Sequence, residues 1–229
     1  MDAREKAAPS ATQRTGAPGE PMRLAVAVTA VAIAAAPVVL ADETLDQKVR
    51  AFLEKNRGQW HDLNVPWEDG QILHDIVLKH RLRRALEIGT STGHSGVWIA
   101  WALSQTGGKL TTLEIDPGRH EQARRNFEEA GVASLVDARL GDAHELVKQL
   151  PGPFDFVFSD ADKDWYLQYF KDLEPKLEVG GCFTAHNVLR SGGGGAREFL
   201  EYVKKLPNYT TTVETGSGEG ISVSCKTRK

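Results

Sequence analysis

Ala85-Leu86-Glu87-Ile88-Gly89-Thr90-Ser91-Thr92-Gly93-His94-Ser95-Gly96-Val97 is the stretch that decides the fold. Residues 84–88 read as a short buried strand, Gly89 to Gly93 as a tight glycine turn, and His94 onward as the start of a helix. A strand, a glycine turn and a helix start bring backbone N–H groups and a helix N-terminus against a nucleotide-like ligand at the edge of an open parallel sheet. The spacing is E-x-G-x-x-x-G, which is not the dinucleotide fingerprint G-x-G-x-x-G. Glycine turns after strands also arise for steric reasons alone, so the motif needs support from elsewhere in the chain.

The next strand-like run supplies it. Residues 109–115 end beside Glu114, 27 positions after Glu87. An acid at the tip of the second strand, roughly 20 or more residues beyond the turn, is placed to accept from two ribose hydroxyls. Asp116, just before Pro117, is instead suited to cap the following helix.

Outward from this centre, strands and helices alternate. Helical stripes cover residues 44–57 and a segment after Asp69-Gly70, with a loop at 60–68 between them. The strand at 84–88 is followed by a helix at 94–105, the strand at 109–115 by a helix at 117–130 that Gly131 ends. Strands at 135–140, 154–160 and 181–185 alternate with helices at 143–150, 165–173 and 196–206. Residues 209–214 and 221–226 form a terminal strand pair around Gly216-Ser217-Gly218. This pattern predicts an α/β domain with a mostly parallel sheet and helices on both faces. The run of glycines at 192–195 reads as a mobile loop bordering the ligand edge.

The chain has 229 residues, enough for one such domain, at 42–229, behind an N-terminal extension. A net charge of −3 argues against nucleic acid as a partner. Residues 1–21 are rich in Ala, Pro, Gly and charge and read as disordered. Residues 24–41 are almost continuously apolar and end in Val39-Leu40-Ala41 before Asp42, which reads as a secretory signal peptide and predicts an exported protein. An uncleaved membrane anchor is the rival reading, and an unused leader would leave the chain cytoplasmic. Cys182 and Cys225 have no metal-site spacing and make no disulfide framework; they are expected as small buried hydrophobes.

The polar residues with chemistry to offer fall at predicted C-terminal strand tips: Glu87, Glu114, Asp142, Asp160, and His186-Asn187. That edge is where open α/β sheets bind ligands. Asp160, His186 and Asn187 offer a carboxylate, an imidazole and an amide carbonyl, a set able to hold a divalent cation with positions left open for substrate. Lys163, three residues past Asp160, is a candidate base. The plainer reading of 160–164 is a helix N-terminus with favourable acids.

Together, Glu87-x-Gly89-x-x-x-Gly93-x-Ser95, Glu114, the run Phe154-Asp155-x-x-Phe158-x-Asp160-Ala161-Asp162-Lys163-Asp164-x-Tyr166, and Asn187-Val188 resemble the small cation-dependent O-methyltransferases, which include the catechol and caffeoyl-coenzyme A enzymes. The resemblance spans about residues 44–226, and its most specific piece is Asp-Ala-Asp-Lys-Asp. It implies S-adenosylmethionine as cofactor and a Rossmann-like sheet of seven strands, the last antiparallel. By the same resemblance Leu63, Val65 and Ser95 meet the methionine part; Glu87, Gly89, Ser91 and Gly93 line the cofactor; Glu114 binds ribose; and Asp142, Ala143 and His144 lie at the adenine end. Asp160 serves cofactor and metal, Lys163 is the catalytic lysine, and Glu219 faces substrate. The chain departs from the family at His186, where a carboxylate is usual; an imidazole suits softer metals than Mg²⁺. The implied reaction is methylation of a small phenolic or catechol hydroxyl. An exported cofactor-binding protein without catalysis or metal, and a nucleotide-dependent oxidoreductase, are the alternatives. A homodimer and a membrane contact through 24–41 are left open.

Overall fold

The computed structural model describes residues 44–189 and 194–229. The leader at 1–41, with the expected signal segment, lies outside the described residues.

Seven strands form one sheet in the order β3-β2-β1-β4-β5-β7-β6. They are β1 (Arg84–Ile88), β2 (Lys109–Glu114), β3 (Val136–Leu140), β4 (Phe154–Ser159), β5 (Leu177–Ala185), β6 (Tyr209–Glu214) and β7 (Ile221–Lys226). Strands β1 to β5 pair in parallel, and β7 enters antiparallel between β5 and β6. Side chains alternate across the pleat and separate two cores. Leu86, Val157 and Phe183, which are register partners, point to one face; Ala85, Phe156 and Cys182 point to the other.

The first face is covered by α5 (Ala143–Gln149), α6 (Tyr166–Leu173) and α7 (Gly194–Val203). The second carries α2 (Trp67–His80) and α3 (His94–Thr106), with α1 (Leu45–Lys55) and α4 (Pro117–Ala130) packed on α3 around Val49, Trp98, Trp101 and Phe127. Each large apolar side chain buried this way contributes roughly 1.5–3 kcal/mol. The caps expected from sequence are present. Asp116 accepts from the Arg119 N–H, and Gly131 closes α4 in the left-handed conformation.

Two expectations are corrected. Cys182 and Cys225 are not separate thiols: they stand opposite each other on β5 and β7 and form a disulfide. Their 43-residue separation hides a pairing that only the antiparallel insertion of β7 creates. The glycine run does not end in a loop either, because Gly194 and Gly195 already belong to α7. A Cβ on Gly195 would lie 2.4 Å from the Lys163 carbonyl oxygen, so glycine is needed there for close packing.

Candidate active site

At the C-terminal ends of the parallel strands lies a cavity of about 660 Å³, within the range of small-molecule sites. Strand order distributes its walls: residues following β2 and β3 stand at one end, those following β1 and β4 in the middle, and those following β5 and preceding β7 at the other.

The middle is built on the glycine turn. Gly89 has φ +93°, and a Cβ there would sit 2.9 Å from the Asp160 carbonyl oxygen. Glycine thus allows the chain leaving β4 to cross against the turn. Ser91 also has positive φ, 48°, and its N–H donates to Glu114 Oε2 at 2.7 Å. Glu114 Oε1 accepts from the N–H groups of Ile115 and Asp116 at 3.1 and 3.0 Å. Three backbone donors therefore fix the carboxylate at the cavity wall. A carboxylate has about four lone-pair sites, so one, on Oε2, is left for a ligand.

Four residues expected at the cofactor do not reach the wall. Glu87 is fully buried beneath the turn, where its Oε2 accepts from the Thr112 hydroxyl at 2.6 Å. Burial pushes its carboxyl up to about 7. Gly93 lies against the Phe127 ring, and Ser95 is buried in the first turn of α3. Val65 packs into the core beside α2, and its carbonyl accepts from His94 Nδ1 at 2.8 Å. Burial lowers His94 to about 4, and its other ring nitrogen accepts from the Trp98 indole N–H. This neutral histidine pins the loop before α2.

That loop forms one lip of the cavity. Asp62 and Leu63 both have positive φ, 58° and 66°, and Leu63 is 75% exposed. Arg119 holds Asp62 through two bonds of 2.8 and 2.7 Å, and the Ser91 hydroxyl donates to the Asp62 carbonyl. Asn64 donates to the Thr92 hydroxyl at 2.7 Å. Arg119, Asn64 and Ile115 were not anticipated as wall residues; the exposure of Ile115, an apolar residue at a strand tip, was the available signal. Asp142 caps α5 by accepting from the His144 N–H, Ala143 lines the wall beside it, and the His144 ring stacks on Trp165 at 3.8 Å.

At the far end, Lys163 Nζ lies 2.5 Å from Asp160 Oδ1. Asp160 Oδ2 faces His186 Nδ1 at 3.2 Å, and His186 Nε2 faces Asp69 Oδ2 at 2.8 Å. Asp69, in the first turn of α2, is wholly buried and also accepts from the Ser217 hydroxyl and N–H. Burial alone would raise both carboxyls, but the contacts with His186, joined by Lys163 or Ser217, outweigh it and hold them below the usual range. Burial likewise opposes charge on His186, and the two carboxylates overcome it, lifting the ring to about 9. Asn187, with φ 58°, donates its amide to Glu219 Oε2 at 3.1 Å.

The expected ligand trio is thus brought together, but not as a ligand set. Both ring nitrogens of His186 are directed at acceptor-only groups and so carry hydrogens. Both oxygens of Asp160 already meet cationic or N–H donors. A divalent cation needs free lone pairs from these atoms, and the arrangement does not fit one.

A seven-stranded sheet with one antiparallel insertion, and a cavity across the tips of its parallel strands, define a Rossmann-like methyltransferase fold. Residues 38–223 match the O-methyltransferase family, and the chain belongs to it. It is 37% identical over 134 residues to the catechol O-methyltransferase of Niastella koreensis, covering 57% of this chain and 60% of that one. It is 35% identical over 138 residues to caffeoyl-CoA O-methyltransferase 1 of Eucalyptus globulus, covering 58% and 56%. The chain therefore matches somewhat more than half the length of these curated relatives. Among solved structures, the O-methyltransferase from Bacillus cereus in complex with SAH superposes with a TM-score of 0.67 at 28% identity, over 82% of this chain and 93% of that one.

Proposed function

We propose that this chain transfers a methyl group from S-adenosylmethionine to a hydroxyl of a small phenolic acceptor. One observation carries the reading: a single cavity has a fixed carboxylate, Glu114, on its nucleoside side and the Asp160–Lys163 pair on its other side. The family membership and the SAH bound in the Bacillus cereus relative support it.

In this reading the lone pair left on Glu114 Oε2 accepts from the ribose diol, and Ile115, Ala143 and His144 flank the base. Leu63 and Asn64 close the lip over the amino-acid end. S-adenosylmethionine supplies an already activated methyl on sulfur. What the chain must do is hold the acceptor oxygen in line with that methyl and remove its proton. Lys163 lines the cavity, and its amine, beside Asp160 Oδ1, is the group assigned to take it. Glu219 and Asn187 border the acceptor. The disulfide and the apolar leader together support an oxidising, exported location as part of the proposal.

The test is direct. The full chain is incubated with S-adenosylmethionine and a panel of phenols, and methylated product is sought by mass spectrometry. SAH binding is measured in parallel by calorimetry. Absence of SAH binding by folded protein would refute the reading.

A further inference from the structure

The place where the resemblance puts a metal is filled by the protein's own charges. His186 has only about 5% of its side chain exposed and is clasped from both sides, by Asp160 across the tips of β4 and β5 and by Asp69 from α2. Asp69 makes its contacts with His186 and Ser217, drawing two distant segments onto one buried carboxylate. A lone buried carboxylate is costly, and a paired one is tolerated. Lys163 completes the row, so that carboxylate, ring, carboxylate and amine alternate along it.

We propose that His186, clasped between Asp160 and Asp69, replaces the divalent cation in this chain, so that methyl transfer here runs without metal and does not require an acceptor with two adjacent hydroxyls. This rests on the methyl-transfer reading above. The second half follows from coordination chemistry. A metal selects vicinal diols because it binds both oxygens at once. The His186 ring has both N–H groups committed to carboxylates and offers the acceptor only charge. Lys163, which takes the proton, then serves a single oxygen. Mono-hydroxylated phenols should be methylated as well as catechols.

SAH-loaded full chain is titrated with Mn²⁺, and free ion is followed by its paramagnetic resonance signal. No stoichiometric binding at micromolar ion is expected. His186→Asp, which restores a carboxylate beside Asp160, should gain one Mn²⁺ site. Because the wild-type titration is decisive by itself, a failure of that variant to fold does not remove the test. In the turnover assay, EDTA should leave the rate within about twofold, and a phenol with one hydroxyl should react. Tight binding of one Mn²⁺ by the wild type, or loss of turnover in EDTA that Mn²⁺ restores, would overturn the inference while leaving methyl transfer intact. Absence of any SAH binding would overturn the reading beneath it instead.

Discussion

Replacing Glu114 by Gln tests the nucleoside side of the cavity with the least collateral damage. Alanine would strand the N–H groups of Ser91, Ile115 and Asp116, each now donating to this carboxylate, and each orphaned donor costs about 1–3 kcal/mol. Glutamine keeps one oxygen to accept from Ile115 and Asp116 and strands only the Ser91 N–H. It loses the charge and turns the other oxygen into a donor. The charge-assisted hydrogen bond from the ribose diol should disappear, at about 1.5–3 kcal/mol. That is roughly 10- to 150-fold in the dissociation constant of SAH. Calorimetry measures it, with a thermal melt of the free variant to show that the fold survives. An affinity within threefold of wild type, in a folded variant, would refute Glu114 as the ribose acceptor and move the nucleoside elsewhere in the cavity.

Lys163→Met keeps the stem and removes the amine; turnover should fall at least ~100-fold, the lower end for a lost acid–base group, with SAH affinity unchanged by calorimetry. Gly89→Ala forces a Cβ to within 2.9 Å of the Asp160 carbonyl at φ +93°; the conformation alone costs about 1–2 kcal/mol, so both melting temperature and SAH affinity should drop, and an unaltered melt would show that the β4 crossing is not tight. Reduction of Cys182–Cys225, or the double Ser variant, opens a loop closed across 43 residues; chain entropy predicts a loss of about 4 kcal/mol, about 10 °C in melting temperature, and an unchanged melt on reduction would contradict the pairing. Glu87, raised from 4.5 to about 7, favours its neutral form in the fold; its contribution is whole below pH 4.5 and falls by about 3 kcal/mol as pH rises to about 7, while His94, lowered to about 4, works with the opposite sign over much of that window, so Glu87 is read as the difference in pH slope between wild type and Glu87→Gln in denaturant titrations, and equal slopes would refute it.

The features legible in the sequence are those fixed by neighbours in the chain. The strand-turn-helix at 84–97, the cap at Asp116, the stop at Gly131 and the alternation that separates Leu86 from Ala85 each depend on a few consecutive residues. Glu114 was readable because its place at a strand tip fixes its direction. What escaped depends on contacts between distant segments. The disulfide needs β7 to lie antiparallel beside β5. The burial of Glu87, Ser95 and Val65 needs α3 and the loop before α2 to close over them. The glycine at 195 takes its meaning from the backbone of 163–164, about thirty residues earlier.

His186 is the sharpest case, because the same residue changes its chemistry with its partner. Beside Asp160 and Asn187 alone, it is a third donor in a site with open positions. Asp69, 117 residues away, supplies the missing fact. A carboxylate with no exposure, on the first turn of a helix, must be neutralised or paired. The ring of His186 pairs it, and satisfying Asp69 commits one ring nitrogen while Asp160 commits the other. The departure from the family at 186 is therefore not a weakened ligand set. A histidine there and an aspartate at 69 belong to one arrangement: without His186 the buried Asp69 carboxylate keeps only Ser217, and without Asp69 the ring keeps only Asp160.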